Sequence, residues 1–375
     1  MKKLITVALV FTMVLCMSVG ALADSVKIGG ISPLTGAVSV YGLLVKDGVD
    51  LCVEETNANG GLLGKQIEMT WMDDTGDAVE AVNAYGQLLS GGMEALIGAV
   101  TSAPTLAVGA RAAADRMPMI SASATAYDVT SAGDNIFRAC FLDPYQAKLM
   151  AQFAAENLNA KKVAVLYDNS DDYSIGLYES FVEMAEELGM EVVATESAIS
   201  EDADYTPQLS KIADAEPDAV FVCYYYQTAA LMLRQSVDVG LDCWMLGADG
   251  WANIQDQVAD DLALLDKAAY CDSFSEKDES EIVQSFVAAF EAKYGRGPAG
   301  FNALGYDTAK ILFAAIEKAG STDREAVIAA MKATDLICVT GRITFDDHND
   351  PIKSAFIKGF ENGEPVLIAR VDPQV

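Results

Sequence analysis

Val163-Ala164-Val165-Leu166 is an unbroken apolar run in the middle of the chain. A strand that is buried on both faces of a sheet has this composition, whereas a strand with one solvent-exposed face alternates apolar and polar residues. An amphipathic segment at 175–188 follows this run, and a second β-rich run at 192–195 follows that segment. The strand–helix–strand order predicts parallel strands that are covered by helices on both faces.

The same alternation extends along most of the chain. Nine short β-rich runs bounded by Gly, Pro, Asp or Ser are predicted to be strands: 26–31, 67–72, 95–100, 119–121, 163–167, 192–195, 220–224, 244–247 and 268–273. Ten amphipathic segments are predicted to be helices: 45–57, 77–90, 103–116, 145–158, 175–188, 205–214, 228–239, 280–294, 303–319 and 323–333.

A chain of 375 residues is too long for one compact core and suits two. We therefore predict an α/β protein with two doubly wound parallel-sheet lobes. Three segments interrupt the pattern and are predicted to cross between the lobes as a hinge: 140–144, 272–276 and 342–351. The predicted N-terminal lobe comprises residues 24–142 and 274–350, and the predicted C-terminal lobe comprises residues 143–273 and 351–375.

The N-terminus has the three parts of a secretory signal peptide. Lys2 and Lys3 precede the apolar residues 4–19, and Ala21-Leu22-Ala23 supplies a small-x-small cleavage site. The apolar part is shorter than the roughly 20 residues that a membrane-spanning helix needs. We predict cleavage after Ala23 and a soluble, periplasmic or otherwise extracytoplasmic protein.

The net charge of the chain restricts its possible partners. The chain has 55 Asp and Glu against 25 Lys and Arg, and a net charge of −30 opposes binding to nucleic acid or to anionic membranes.

Six cysteines follow the predicted cleavage site, and an even number in an exported protein permits disulfides. Cys52 and Cys223 are interpreted as buried apolar side chains because they lie on a helix face and in a strand. Whether any disulfide forms stays open.

The sequence lacks the motifs of catalysis and of cofactor or metal binding. Its single histidine, His348, lies in a polar run at 346–350 that is predicted to be a surface loop. The patterns G-x-S-x-G, H-E-x-x-H and G-x-G-x-x-G do not occur. We therefore predict a protein that is not an enzyme and that needs neither cofactor nor metal.

Four predicted strands end in residues that could hold a zwitterion. The loops Thr101-Ser102-Ala103-Pro104-Thr105 and Ser121-Ala122-Ser123-Ala124-Thr125 are rich in hydroxyl groups. Tyr224-Tyr225-Tyr226 and Gly247-Ala248-Asp249-Gly250-Trp251 follow two later strands. Ligands of open α/β sheets bind beyond the carboxyl ends of the strands, and helix N-termini favour carboxylates. Donors on one lobe and an acid on the other predict a zwitterion site, although ordinary helix capping explains each hydroxyl loop alone.

Two further motifs stand upstream, in the same order as in a known family. They are Ile28-Gly29-Gly30-Ile31-Ser32-Pro33-Leu34-Thr35-Gly36 and Asn57-Ala58-Asn59-Gly60-Gly61-Leu62-Leu63-Gly64-Lys65. With the four strand-end motifs, they make the chain resemble the leucine/isoleucine/valine-binding proteins of the type I periplasmic binding fold. The resemblance covers essentially all residues after the predicted signal peptide. It implies a monomer that closes on a branched-chain or aliphatic amino acid and delivers it to the membrane permease of an ABC transporter.

The resemblance also implies roles for residues that would hold the charges of the amino acid. Ser102 would bind the α-carboxylate, helped by a backbone N–H near Thr125. The α-ammonium would be held by the Ser123 carbonyl, the Thr125 hydroxyl and the Asp249 carboxylate.

Aromatic residues would line the side-chain pocket and latch the lobes together. By the same resemblance these are Tyr41, Tyr173, Tyr225 and Phe301, and Tyr226 is a one-residue alternative to Tyr225.

Some features depart from the family pattern and leave alternatives open. The better-known aliphatic binders have Glu where Asp249 stands, and the cysteines of their cleft disulfide would fall on Gly76 and Thr101. Three neighbouring tyrosines also suit an aromatic or polar amino acid or another small carboxylate. A ligand-sensing domain that signals to a receptor would have the same fold.

Overall fold

The computed structural model describes residues 25–371. Its strands are β1 (Val26–Ser32), β2 (Ile67–Asp73), β3 (Ala95–Ile97), β4 (Met119–Ser121), β5 (Ile136–Arg138), β6 (Lys162–Tyr167), β7 (Glu191–Ser197), β8 (Ala219–Cys223), β9 (Trp244–Gly247), β10 (Ala268–Asp272), β11 (Asp335–Cys338), β12 (Gly341–Thr344), β13 (Ala355–Glu361) and β14 (Glu364–Val371). Its α-helices are α1 (Ser39–Ala58), α2 (Ala78–Ser90), α3 (Ser102–Ala114), α4 (Asp143–Glu156), α5 (Asp172–Glu187), α6 (Thr206–Asp214), α7 (Tyr226–Asp238), α8 (Glu281–Tyr294), α9 (Gly300–Ala319) and α10 (Arg324–Lys332). The predicted signal peptide lies outside the described residues.

Two large sheets confirm the predicted α/β class. The first sheet has the order β2-β1-β3-β4-β5 and is parallel throughout. The second sheet has the order β14-β13-β10-β9-β8-β6-β7 and is parallel from β10 to β7. In each sheet the chain winds outward in both directions from one neighbouring pair, β1 and β3 or β6 and β8. This pair is the topological switch point, where α/β sheets open a crevice for ligands.

The sequence prediction missed five strands. β13 and β14 form an antiparallel hairpin at the edge of the second sheet, so that sheet is mixed rather than purely parallel. β11 and β12 form a separate antiparallel pair, part of which falls in the segment predicted as the third crossing. β5 has only three residues and gives too short a signal to recognise. The lobe boundaries and the hinge crossings remain predictions.

Helix α1 begins six residues earlier than its apolar pattern indicated. Gly42 lies inside its first turns, where glycine usually weakens a helix. A Cβ atom at Gly42 would come within 2.0 Å of the Pro33 carbonyl oxygen. Glycine is therefore required by the close approach of α1 to the preceding loop, and the early start places Tyr41 at the carboxyl end of β1.

Helices α1 and α9 approach each other through two glycines. A Cβ at Gly48 would lie 2.0 Å from the Asn302 carbonyl oxygen, and one at Gly305 would lie 2.2 Å from the Val45 carbonyl oxygen. The Asn302 side chain donates a hydrogen bond to the Leu44 carbonyl oxygen at 2.7 Å. This contact fixes the start of α9, where Phe301 is buried.

Buried cations bind the segments that connect the two sheets. Arg138, at the end of β5, donates to the Asp350 carboxylate at 2.5 Å. Lys353 donates to the Ala139 carbonyl oxygen at 2.7 Å and to the Thr340 hydroxyl at 2.6 Å. Each of these charged groups has partners close at hand, as burial requires.

A second buried ion pair joins β10 to β13. Lys358 lies 2.8 Å from an Asp272 carboxylate oxygen, and both side chains are buried.

All six cysteines among residues 25–371 are free thiols, and five of them are buried. Cys52 and Cys223 are buried, as their positions in apolar patterns indicated. Within the same residues, the structure contains no helix with the length and apolar character needed to cross a bilayer.

Candidate functional site

A small cavity lies between the carboxyl ends of the two sheets, at their switch points. Its walls follow the ends of β1, β3 and β4 on one side and of β6, β8 and β9 on the other, with one residue from α9. The lining residues are Tyr41, Val100, Thr101, Ser102, Ser123, Thr125, Tyr173, Tyr225, Asp249, Gly250 and Phe301.

The wall next to the first sheet carries hydroxyl groups and a helix N-terminus. Thr101 is the N-cap residue of α3, and Ser102 is its first residue. The Ser102 hydroxyl accepts a hydrogen bond from the Ala126 N–H at 3.2 Å, whereas the buried Thr101 hydroxyl has no hydrogen-bond partner. The first amides of a helix have no partners within it and carry the positive end of its dipole. This wall therefore suits a carboxylate.

Two further hydroxyl residues lie in the same wall. The Ser123 hydroxyl donates to the Val100 carbonyl oxygen at 2.8 Å, which connects the ends of β3 and β4. The Thr125 carbonyl oxygen accepts a hydrogen bond from the Asp143 N–H at 2.9 Å. Both residues are buried, so the loop is held rigidly against the cavity.

The opposite wall carries a buried acid. Asp249 begins a short 3₁₀ turn directly after β9, and its Oδ1 accepts hydrogen bonds from Gln146 Nε2 at 3.0 Å and from the Tyr173 hydroxyl at 3.2 Å. Among residues 25–371 it has no salt-bridge partner. Burial raises the pKa of Asp249 to about 6, and the hydrogen bonds from Gln146 and Tyr173 oppose that rise. A cation in the cavity would supply the missing charge.

Four aromatic rings enclose the space between the charged groups. Tyr173 and Tyr225 stack with ring centroids 4.7 Å apart, and Tyr41 and Phe301 stack at 4.7 Å. Tyr41 also meets Tyr225 at 5.7 Å, so the two stacks form one continuous lining. Such a lining offers apolar contact to an organic side chain.

Tyr41 connects the two walls directly. Its hydroxyl donates to the Gly250 carbonyl oxygen and accepts from the Tyr226 N–H at 3.0 Å. Both partners follow strands of the second sheet, whereas Tyr41 follows β1 of the first. The hydroxyl therefore holds the two sides of the cavity together.

The family model described as periplasmic binding protein matches residues 25–362. The chain belongs to the periplasmic binding protein family. A Leu/Ile/Val-binding protein of Rhizobium johnstonii is 30% identical to it over 351 residues, which are 92% of this chain and 94% of the relative.

Two solved structures are similar to this periplasmic binding protein along almost their whole length. A leucine binding protein of Thermotoga maritima is 34% identical with a TM-score of 0.88, and the match covers 93% of this chain and 99% of that one. A branched-chain amino acid transporter substrate binding protein of Streptococcus pneumoniae, solved in complex with isoleucine, is 31% identical with a TM-score of 0.86 and the same coverage.

All eight residues predicted from the sequence of this periplasmic binding protein line the one cavity. They are Tyr41, Ser102, Ser123, Thr125, Tyr173, Tyr225, Asp249 and Phe301. Of the neighbouring tyrosines, Tyr225 lines the cavity, while the Tyr226 ring packs edge-on against Tyr41 at 5.1 Å. Their roles toward a ligand remain predictions.

The sequence reasoning missed three polar residues at or behind the walls. Thr101 belongs to a motif that was recognised, but only Ser102 was singled out from it. Asp143 and Gln146 lie in the first turn of α4, and Gln146 contacts Asp249 from a position 103 residues away in the chain. No local pattern marks such a contact, although the Asp-Pro start of a helix beside a predicted crossing gave a signal that this helix end was near the cleft.

Proposed function

We propose that this periplasmic binding protein captures an amino acid, branched-chain or aliphatic, by closing its cleft and delivers it to the membrane permease of an ABC transporter. The observation that carries the proposal is the opposition of two charge-binding walls across one buried cavity. The hydroxyls and amides around Ser102 suit a carboxylate, and Asp249 suits an ammonium. Burying a zwitterion is favourable only where both charges find partners.

The polar residues around the cavity can be assigned to the two charged groups of a bound amino acid. In this proposal Ser102 binds the α-carboxylate with the help of a backbone N–H near Thr125. The Ser123 carbonyl, the Thr125 hydroxyl and Asp249 hold the α-ammonium.

The four rings of Tyr41, Tyr173, Tyr225 and Phe301 then contact the side chain of the ligand. Because these rings are apolar on their faces, branched aliphatic groups fit between them. The names of the similar proteins from Rhizobium, Thermotoga and Streptococcus support this class of ligand.

Closure depends on two lobes that move about a hinge. We assign residues 24–142 and 274–350 to the N-terminal lobe and residues 143–273 and 351–375 to the C-terminal lobe. A ligand that contacts both walls binds the closed form better than the open form, and this difference in affinity drives closure. The protein acts as a monomer, without enzymatic turnover and without nucleic acid as a partner.

The proposal includes export. Residues 1–23 are removed as a signal peptide, and the mature protein works outside the cytoplasm. N-terminal sequencing of the exported protein tests this part, and a first residue other than Asp24 contradicts the assigned cleavage site.

A thermal-shift screen of the twenty amino acids and a set of small carboxylates tests the ligand class. A ligand that binds only the folded protein raises the melting temperature. We expect the largest shifts with leucine, isoleucine or valine. A shift with benzoate and none with any amino acid contradicts the proposal, since benzoate offers no cation to Asp249.

An aromatic amino acid is the second candidate, because the lining of the cavity is built from four aromatic rings. The same screen decides this choice: a larger shift with phenylalanine or tyrosine than with leucine favours the aromatic ligand. A receptor partner instead of a permease is tested by affinity capture from solubilised membranes of the source organism.

A further inference from the structure

Gln146 joins two buried carboxyl groups behind the cavity. Its Nε2 lies 2.9 Å from Asp143 Oδ1 and 3.0 Å from Asp249 Oδ1. Its Oε1 accepts the backbone N–H of Asp249 at 3.0 Å. A backbone N–H can only donate, so the amide oxygen must face it and the amide nitrogen must face the two carboxyl groups.

The two carboxyl groups differ in their surroundings. Asp249 faces the cavity, where a ligand could reach it. Asp143 is fully buried, and its Oδ2 has no hydrogen-bond partner. Neither group forms a salt bridge within residues 25–371. Two buried carboxylates bridged by one neutral amide oppose each other's ionisation, as in pairs that share a proton.

We propose, on the basis of the proposed function, that Gln146 positions Asp249 for the ligand ammonium and that the bridged pair carries one negative charge, with a proton held on Asp143. Protonation at the free Oδ2 of Asp143 breaks no existing hydrogen bond. The remaining charge then resides on Asp249, where the ammonium binds.

The pKa directions agree with this assignment. Burial and then the charge of Asp249 raise the pKa of Asp143 well above its usual range. Burial raises the pKa of Asp249 to about 6. Above that pH the pair therefore holds one proton and one charge.

Other titratable or charged groups face this pair from the surrounding elements. They are Tyr41 on α1, Tyr173 on α5, Tyr225 before α7, Cys140 after β5, Cys223 in β8, Cys271 and Asp272 in β10, and Arg138 in β5. Burial raises the pKa of each of these tyrosines and cysteines, so they stay neutral between pH 5 and 8 as ordinary acids of their type do. Asp272 is paired with Lys358 and Arg138 with Asp350. Asp249 is therefore the group of this cluster whose protonation changes between pH 5 and 8.

Ligand binding is then linked to a proton. Below pH about 6 an ammonium must displace the proton from Asp249, so affinity falls by up to about tenfold for each pH unit. Above that pH the site is ionised and affinity is constant. Calorimetry with L-leucine between pH 5 and 8, in buffers of different ionisation enthalpy, measures the affinity and the protons released.

The variant Asp143→Asn tests whether the bridged pair carries a single negative charge. An amide replaces a carboxyl that is already neutral, so we expect the dissociation constant for L-leucine at pH 7.5 to stay within about threefold of the wild type. Asp249→Asn should weaken binding by about a hundredfold or more, because the ammonium then lacks its counter-ion. If Asp143→Asn weakens binding as much as Asp249→Asn, the single-charge assignment is overturned.

The variant Gln146→Leu tests the positioning role. Removing the amide deletes a hydrogen bond that favours ionised Asp249, so the pH at which affinity falls should move upward and higher pH should restore part of the binding. Gln152→Leu, the same substitution on the same helix at the edge of another cavity, is the matched control and should change neither quantity. An unmoved pH profile in Gln146→Leu overturns the positioning role.

If Gln146→Leu does not fold, the wild-type pH profile and the Asp143→Asn variant still test the inference. Affinity that is constant from pH 5 to 8 contradicts the inference while leaving the proposed function intact. Failure of the wild type to bind any amino acid overturns the proposed function and this inference with it.

Discussion

Two regions of this molecule that contain buried carboxylates differ in their surroundings. Near the segments that connect the two sheets, Asp350 faces Arg138 at 2.5 Å, and at the end of β10 Asp272 faces Lys358 at 2.8 Å. In the cleft, Asp249 is held by Gln146 and Tyr173 and has no cation among the described residues. The same chemical group is thus neutralised in one place and left without a counter-ion in the other.

This difference separates structural charges from a charge kept for a ligand. In a buried ion pair, each charge offsets part of the desolvation cost of the other. A buried carboxylate that has only neutral donors is costly until a cation arrives. Substitutions in each region measure that distinction.

Breaking an ion pair near the connecting segments should have the largest effect on stability. Asp350→Asn leaves Arg138 charged and buried, and loss of one partner of a buried pair costs about 3–5 kcal/mol of unfolding free energy. Denaturant titration measures the change. Asp134→Asn is the matched control, since Asp134 is more than half exposed and its pairs with Arg116 and Lys332 should contribute about 1 kcal/mol at most. Equal losses in the two variants would show that Asp350 has no special structural role.

Replacing Asp249, the acid in the cleft, by Asn should raise the unfolding free energy, whereas Asp350→Asn lowers it. Burial raises the pKa of Asp249 from 3.8 to about 6. Its ionised form therefore destabilises the ligand-free protein above pH about 6, and this cost disappears as the pH falls through that value toward 3.8. Asp249→Asn should raise the unfolding free energy at pH 7.5 by up to about 3 kcal/mol, and by less at pH 5.

Asp272→Asn is the comparison for this experiment, because it breaks a salt bridge and should lower stability. Thermal and denaturant unfolding of both variants, at pH 7.5 and pH 5 without ligand, give the two signs. A loss of stability in Asp249→Asn at pH 7.5 would mean that Asp249 is structurally compensated after all.

Removing the hydroxyl that joins the two walls should have a smaller effect, on binding rather than on folding. Tyr41→Phe deletes the bonds to Gly250 and Tyr226 but keeps the ring, so we expect a loss of about 1–2 kcal/mol in binding, mainly through faster ligand release. Stopped-flow measurement of the dissociation rate tests this. Tyr127→Phe changes an exposed tyrosine outside the cavity and should leave the rate unchanged.

Much of the fold follows from local pattern, and so do several of the loops that form the site. Strand ends are visible as apolar runs that stop at small or polar residues, and the switch-point rule places the residues after those ends together. This reasoning leads from the sequence to the loops that contain Ser102, Ser123, Tyr225 and Asp249, and the family resemblance singled out the individual residues within them. Phe301 begins a helix and does not follow a strand, so only the family resemblance identified it.

Other features depend on contacts that no short segment reveals. Gln146 acts through a side chain that reaches the end of β9, and the pairing exists only once both sheets have formed. The antiparallel pair β13 and β14 did carry a signal, since Asn362-Gly363 between two apolar runs is typical of a hairpin turn.

The central claim is that Asp249 pairs with the ammonium of an amino acid inside the cleft. Calorimetric titration of the wild type and Asp249→Asn with L-leucine and with 4-methylpentanoate, which is leucine without its ammonium group, tests it directly. We predict that the wild type prefers leucine by about a hundredfold or more, and that the variant loses this preference. Equal affinity of the wild type for both compounds would contradict the claim.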